Sequence, residues 1–221
     1  MENEIKEKIT ETLCIKEITY NDTKRWLLEK HYAHRMPSIS YSYGLFRGED
    51  ILGIVTYGSP PSQSLCRGIC GDDFKKHVLE LNRLVINSIA PHNSASYLVG
   101  RTLKMLPRDS IIVSYADTSM EHIGKIYQAT NFIYTGLSDK RTEWKEKGKN
   151  THSKSVCEMY GIDFMKTQPN RFEVVQRPRK HRYILFRNKK HLRNLKYPIL
   201  PYPKGESKNY DCIDILENKL F

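Results

Sequence analysis

No apolar run in this 221-residue chain approaches the roughly 18 residues that a helix needs to cross a bilayer, so a membrane-spanning helix is excluded. The start, Met1-Glu2-Asn3-Glu4-Ile5-Lys6-Glu7-Lys8, lacks the apolar stretch of a secretory signal. The five cysteines (14, 66, 70, 157 and 212) are odd in number and have no framework spacing. That excludes a disulfide scaffold and points to reduced thiols in a cytoplasm. Cys66-x-x-x-Cys70, with His77 downstream, is not a standard zinc spacing either. No internal repeat is visible.

What is present is a charge imbalance confined to one region. The net charge is +11, and residues 166–208 hold 13 Lys/Arg against 2 acidic residues, while the remainder is balanced at 23 of each. A neutral body with a basic extension suits a polyanion, because each neutralised phosphate releases counterions. A solvated tail would also be basic, but Phe172, Tyr183, Phe186, Tyr197 and Tyr202 are interleaved with these cations. Disordered tails are poor in aromatics, and rings among cations can stack on bases. The expected organisation is a catalytic body at 1–165 and a basic, nucleic-acid-binding extension at 166–221 packed on the same domain.

Along the chain, Ile15 to Ile18 reads as a strand, and Asn21 or Thr23 can cap a helix through Trp26-Leu27-Leu28. Residues 41–46 and 51–57 read as a hairpin across Arg47-Gly48-Glu49-Asp50. Residues 58–73 are rich in Ser, Pro, Gly and Cys and read as a loop. Residues 78–86 form a strand, and Ala95, Leu98, Val99, Leu103 and Leu106 stripe a helix. Residues 139–155 are polar and read as a loop, residues 183–186 as a last strand, and the Pro198, Pro201, Pro203 run as extended. The class is α+β, a mixed and mostly antiparallel sheet with helices on both faces.

The stretch 111–132, IIVSYADTSMEHIGKIYQATNF, carries the strongest functional signal. Ile111-Ile112-Val113 is a buried strand, and a short helix follows with Ile123, Ile126, Tyr127 and Thr130 at i, i+3, i+4 and i+7. Asp117 therefore sits at the carboxyl end of a strand, where open α/β sheets hold ligands. It can accept or orient the proton of an amine, or cap the helix after it. Tyr127 faces apolar surroundings by spacing. It is either a core tyrosine or, with an ordinary pKa of about 10, a general acid. Ser114 and Tyr115 line the same strand end; no base is placed beside Ser114 by sequence. His31, Tyr32 and His34 cluster after the first helix and, with a carboxylate such as Asp117, could form a nitrogen/oxygen site suited to iron. Asn82 and Arg83 lie on the strand before the central helix, and alternation should turn them to opposite faces. Arg83 can bind a phosphate or carboxylate, or pair with Glu80; Asn82 can bond a base edge.

Gly124-Lys125-Ile126-Tyr127-Gln128-Ala129-Thr130-Asn131-Phe132 resembles the late helix and strand of the GNAT acyltransferase superfamily. That resemblance implies a tyrosine that protonates the thiolate of departing coenzyme A. Together with Leu79-Glu80-Leu81-Asn82-Arg83-Leu84, Ser114-Tyr115-Ala116-Asp117 and Lys180-His181-Arg182-Tyr183, the chain from about 30 to 204 is similar to the Mom family of phage DNA-modification proteins, a GNAT offshoot. Membership implies transfer of a carbamoylmethyl-type group to the exocyclic amine of adenine in phage DNA, as protection against host restriction. It further implies catalytic roles for Asp117, Tyr127, Tyr32 and Ser114, and an iron site at His31-Tyr32. The GNAT turn that holds the coenzyme pyrophosphate corresponds to 90–96, which has no glycine here. Asn93, Ser94 and Ser96 at the helix start, with Asn82 and Arg83, are the donor-site candidates, the donor being acetyl-coenzyme A or another activated acyl or aminoacyl group.

Arg177, Arg179, Lys180, Arg182, Lys189, Lys190 and Arg193 are the expected phosphate contacts. A duplex base would have to be flipped, or the DNA single-stranded, with Tyr41, Tyr43 or Tyr57 placed to stack on it. Two rival readings remain: a GNAT-type transferase acting on tRNA, aminoacyl-tRNA or a protein amine, and a non-catalytic nucleic-acid-binding protein on the same fold.

Overall fold

The computed structural model of the protein describes residues 13–149, 151 and 153–206. Nine strands and six α-helices are found among them. They are β1 (Cys14–Glu17), α1 (Tyr20–Arg25), β2 (Tyr41–Arg47), β3 (Asp50–Gly58), α2 (Gln63–Cys70), β4 (Val78–Ile86), α3 (Ser94–Met105) and β5 (Ile111–Asp117). After these come α4 (Lys125–Ala129), β6 (Ile133–Leu137), β7 (Thr142–Glu146), α5 (Ser153–Tyr160), α6 (Ile162–Lys166), β8 (Phe172–Gln176) and β9 (Lys180–Phe186). The architecture is the expected α+β. A seven-stranded sheet runs β1-β2-β3-β4-β5-β9-β6, with β7 and β8 forming a separate two-stranded ladder. Only the β4–β5 pair in the large sheet is parallel.

Both faces of the sheet are covered, which explains the uninterrupted apolar run of β5. Ile112 packs with Leu98, Val99 and Leu103 of α3 on one face. Ile111 and Val113 pack with Cys66, Ile69 and Cys70 of α2 on the other, as a strand buried on both sides requires. The α1 cap is Thr19, which forms a capping box with Asp22 instead of the expected Asn21 or Thr23 cap. The helix continues as a π-helical turn, Trp26–Lys30, whose Trp26 and Leu27 pack on Ile54 and Val85.

Two segments read as loops are ordered elements. Residues 63–70 form α2, since Ser62 caps the helix and Cys66, Ile69 and Cys70 share a buried face. The polar 139–155 segment contains β7, which pairs with the distant β8 and joins α5 and α6 around Val156, Met165 and Phe172. The basic segment from 166 onward places β9 inside the large sheet, between β5 and β6. Among the described residues no helix is long and apolar enough to cross a membrane, and Cys14, Cys66, Cys70 and Cys157 are free thiols.

Tyr57 and Tyr43, expected as surface rings for a flipped base, are instead core residues in edge contact. The Tyr57 hydroxyl lies 2.7 Å from Thr102 Oγ1, which itself donates to Leu98 O, so tyrosine is the donor. Tyr57→Phe should therefore cost about 1 kcal/mol, the net worth of one buried hydrogen bond. Urea unfolding should show a lower midpoint with an unchanged slope, and an unmoved midpoint would contradict this role.

Candidate active site

The register of β4 and β5 creates the site. They pair only as Val78↔Ile111, Leu79↔Ile112 and Glu80↔Val113. Beyond Glu80, β4 stays registered with β3 as far as Ile86, while β5 stays with β9 as far as Asp117↔Lys180. The two strands part toward their carboxyl ends, leaving a cleft where α/β sheets hold ligands. Ser114 bridges its closed end by donating to Leu81 O at 2.9 Å.

Asp117 and Tyr127 both reach this cleft. Register sets Lys180 opposite Asp117, and its ammonium meets Oδ2 at 2.7 Å. Oδ1 accepts from Ser119 N at 3.0 Å and Ser119 Oγ at 2.7 Å. Burial opposes the Asp117 charge, but Lys180 and Ser119 outweigh it and hold the carboxyl below its ordinary range. Asp117 is charged and caps the 3-10 turn Thr118–Met120, whereas α4, the helix it was expected to cap, starts from Gly124. Tyr127 lies beside Ser114 and packs on Phe132 and Tyr183. Its phenol is pushed by burial up to about 12, so it stays protonated. Gly124 takes φ +78° ahead of α4, and a Cβ there would strike the Tyr183 ring, so only glycine allows this approach.

His31 and Tyr32 come to the same cleft, stacked at 4.4 Å. His31 is buried and accepts from Ala33 N at 3.0 Å through Nδ1. Burial first, then the cations Arg83 and Lys180 and the rings of His34 and His122, hold its pKa near 3, so it is neutral. His34 Nδ1 is engaged by Leu28 O. The expected iron site is not supported. Among the described residues no three His, Cys, Asp or Glu side chains converge to hold a metal, and both carboxylate oxygens of Asp117 are occupied.

Asn82 and Arg83 do not turn to opposite faces. Thr56 pairs with Arg83 and Tyr57 with Leu81, so Asn82 is the extra residue of a β-bulge, which breaks the alternation. Asn82 bridges Thr56 and Ser38 O, leaving no base-reading edge. Arg83 donates to Asn82 O and Arg35 O, and its buried Nε has no protein partner. At the α3 start, Asn93 is left-handed at φ +68°, while the Ser94 and Ser96 hydroxyls bond Pro91 O and Asn93 O.

The seven expected phosphate contacts divide. Arg177, Lys189, Lys190 and Arg193 are exposed. Arg179 donates to Ser138 O and Leu137 O. Lys180 belongs to the cleft. Arg182 is a correction: it is buried, donates to Thr135 Oγ1 and O, and lies 3.5 Å from the Tyr197 ring centre. Lys189, Lys190 and Arg193 sit on a 3-10 turn beyond Phe186, the end of β9 opposite Lys180. Sequence reasoning overlooked His122, whose ring lies 6.4 Å edge-on from Tyr32 and beside Asp117. A histidine five residues past a strand-end aspartate was the available signal. A separate open depression of about 450 Å³ is lined by Ile15, Tyr97, Arg101, Lys104 and Met105.

The Mom protein family model matches residues 12–204. The chain belongs to the Mom protein family. It is 28% identical over 205 residues to the methylcarbamoylase mom of Escherichia phage Mu, covering 86% of this chain and 85% of that protein. Among solved structures it is similar to Arabidopsis thaliana NAA60 in complex with acetyl-CoA, at 13% identity and TM-score 0.47 over 79% of this chain and 99% of that one. It is also similar to a GNAT family acetyltransferase from Bacillus cereus, at 12% identity and TM-score 0.41 over 79% and 96%. In this Mom family member, Arg182 should carry stability rather than nucleic-acid contact. Arg182→Ala should cost about 2 kcal/mol, from lost charge-assisted bonds and the ring contact, with Arg177→Ala within about 0.5 kcal/mol of wild type. Thermal melting compares them, and equal melting points would contradict the assignment.

Proposed function

We propose that this protein modifies DNA, transferring an acyl-derived, carbamoylmethyl-type group to the exocyclic amine of adenine in phage DNA and so shielding it from restriction. The observation that carries the reading is the meeting of Asp117, Tyr127, Ser114, Tyr32 and Lys180 in the β4–β5 cleft of a Mom family chain. The name methylcarbamoylase borne by the phage Mu relative supports the group transferred.

An amine conjugated to a purine ring is a weak nucleophile, so the site must position it, remove its proton and protonate the leaving group. Tyr127, kept protonated by burial, suits the last task. The donor in this reading is an activated acyl or aminoacyl group, on coenzyme A or another carrier. The serine hydroxyls at the α3 start bond the chain itself, so backbone amides and the helix dipole would meet any donor phosphate there. The partner is single-stranded DNA or a duplex with its adenine flipped out. Arg177 is an exposed cation just ahead of the Lys180 end of β9, and Tyr41 is the hairpin tyrosine that is not fully buried.

DNA from cells expressing the protein should yield an adenine nucleoside heavier by the added group when digested and weighed by mass spectrometry. Ordinary adenine alone, from cells in which the protein is folded and abundant, would overturn the reading.

A further inference from the structure

We propose that His122 is the base that takes the proton from the acceptor amine, and that Asp117 holds charge and geometry instead. This inference rests on the transferase reading above. His122 lies at the cleft mouth, in the segment joining β5 to α4, and its backbone N–H is pinned to Asp117 O at 3.1 Å. No protein hydrogen bond to either of its ring nitrogens is found among the described residues. The groups facing the ring are Asp117 from β5, and Tyr32 and His31 from the segment after the first helix. Lys180 of β9 faces it across Asp117.

The other titratable groups of the cleft are poor bases for stated reasons. Asp117 has both oxygens occupied, and accepting a proton would break the 2.7 Å ion pair with Lys180. His31 has Nδ1 taken by Ala33 and is buried among positive neighbours, so its protonated form is strongly disfavoured. Tyr127 is protonated and serves as the acid. Glu80, raised by burial, belongs to the last registered pair, Glu80↔Val113, at the closed end of the cleft. His122 is half-buried; burial lowers its pKa more than Asp117 raises it, so the ring is neutral near pH 7 and ready to accept.

In the step, the amine nitrogen forms a bond to the donor's electrophilic carbon as that carbon's bond to its leaving group breaks. The amine proton passes to His122. The leaving group departs with the bonding pair and takes the Tyr127 phenolic proton. Proton exchange with solvent then restores both residues.

The test uses the purified full chain, plasmid DNA, and clarified lysate of cells lacking the protein as donor source, with modified adenine read by mass spectrometry. His122→Ala and His122→Asn should each lower the initial rate about 100-fold or more, the usual worth of a general base. Gel-shift affinity for duplex DNA and the melting temperature should stay at wild-type values. Imidazole in the buffer should restore rate to His122→Ala, a result that a merely structural histidine would not give. The wild-type rate should fall in acid, with its midpoint below the ordinary histidine pKa of about 6.5, because burial lowers the His122 pKa and the charged ring cannot accept; the unrescued variant should lack that limb. A His122→Ala rate equal to wild type, or a loss that imidazole does not restore while Glu80→Gln abolishes activity, overturns the proposal. A wild-type protein that modifies no adenine counts against the transferase reading instead.

Discussion

Three registered pairs join β4 to β5, and then the strands separate. Everything in the cleft follows from that interruption. Backbone groups in the middle of a sheet need partners. Where the ladder stops, the Ser114 hydroxyl substitutes for one at Leu81 O, and the Tyr127 ring stands beside it. The two halves of the sheet are each continuous: β4 follows β3 through a bulge at Asn82, and β5 follows β9 to Lys180. The cleft is therefore an opening between two continuous ladders, with Ser114, Asp117 and Lys180 on its strands, Tyr127 on α4, and Tyr32 and His122 on connecting segments.

The electrostatics also come from register. Asp117 meets Lys180 because those residues oppose each other across an antiparallel pair. The same ladder brings Arg182 opposite Tyr115, where its guanidinium is buried against Tyr197 and bonded to Thr135. One basic strand thus supplies a site residue and a structural residue two positions apart. Around them, His31 and His122 are held neutral by burial while Asp117 stays charged. A neutral acceptor beside a fixed carboxylate is a more useful pair for drawing a proton from a weakly nucleophilic amine than two competing carboxylates would be.

Much of this was legible in the residues. The Ile111–Val113 run could be read because burial on both faces leaves it apolar, Asp117 followed from its position at the end of β5, and Tyr127 from the helical spacing beyond it. The α2 helix was hidden because Ser, Pro and Gly around it suggest a loop, while its fully buried face is just Cys66, Ile69 and Cys70, with Leu65 beside them. β7 was hidden because its partner strand, β8, lies a helical pair away in sequence. Charge alone could not separate exposed Arg177 from buried Arg182, since that depends on which neighbours the ladder supplies. The bulge at Asn82 overturned a simple alternation argument, because one unpaired residue turns both side chains toward the 35–38 segment.

The central claim is that the acceptor adenine enters the opening between β4 and β5. A crystal structure of the protein with a short adenine-containing single strand tests it most directly. The account predicts the exocyclic amine within hydrogen-bond reach of the His122 ring, with Asp117 and Tyr127 flanking it. An adenine seated instead in the depression of Ile15, Tyr97 and Arg101, with the cleft unoccupied, would contradict it.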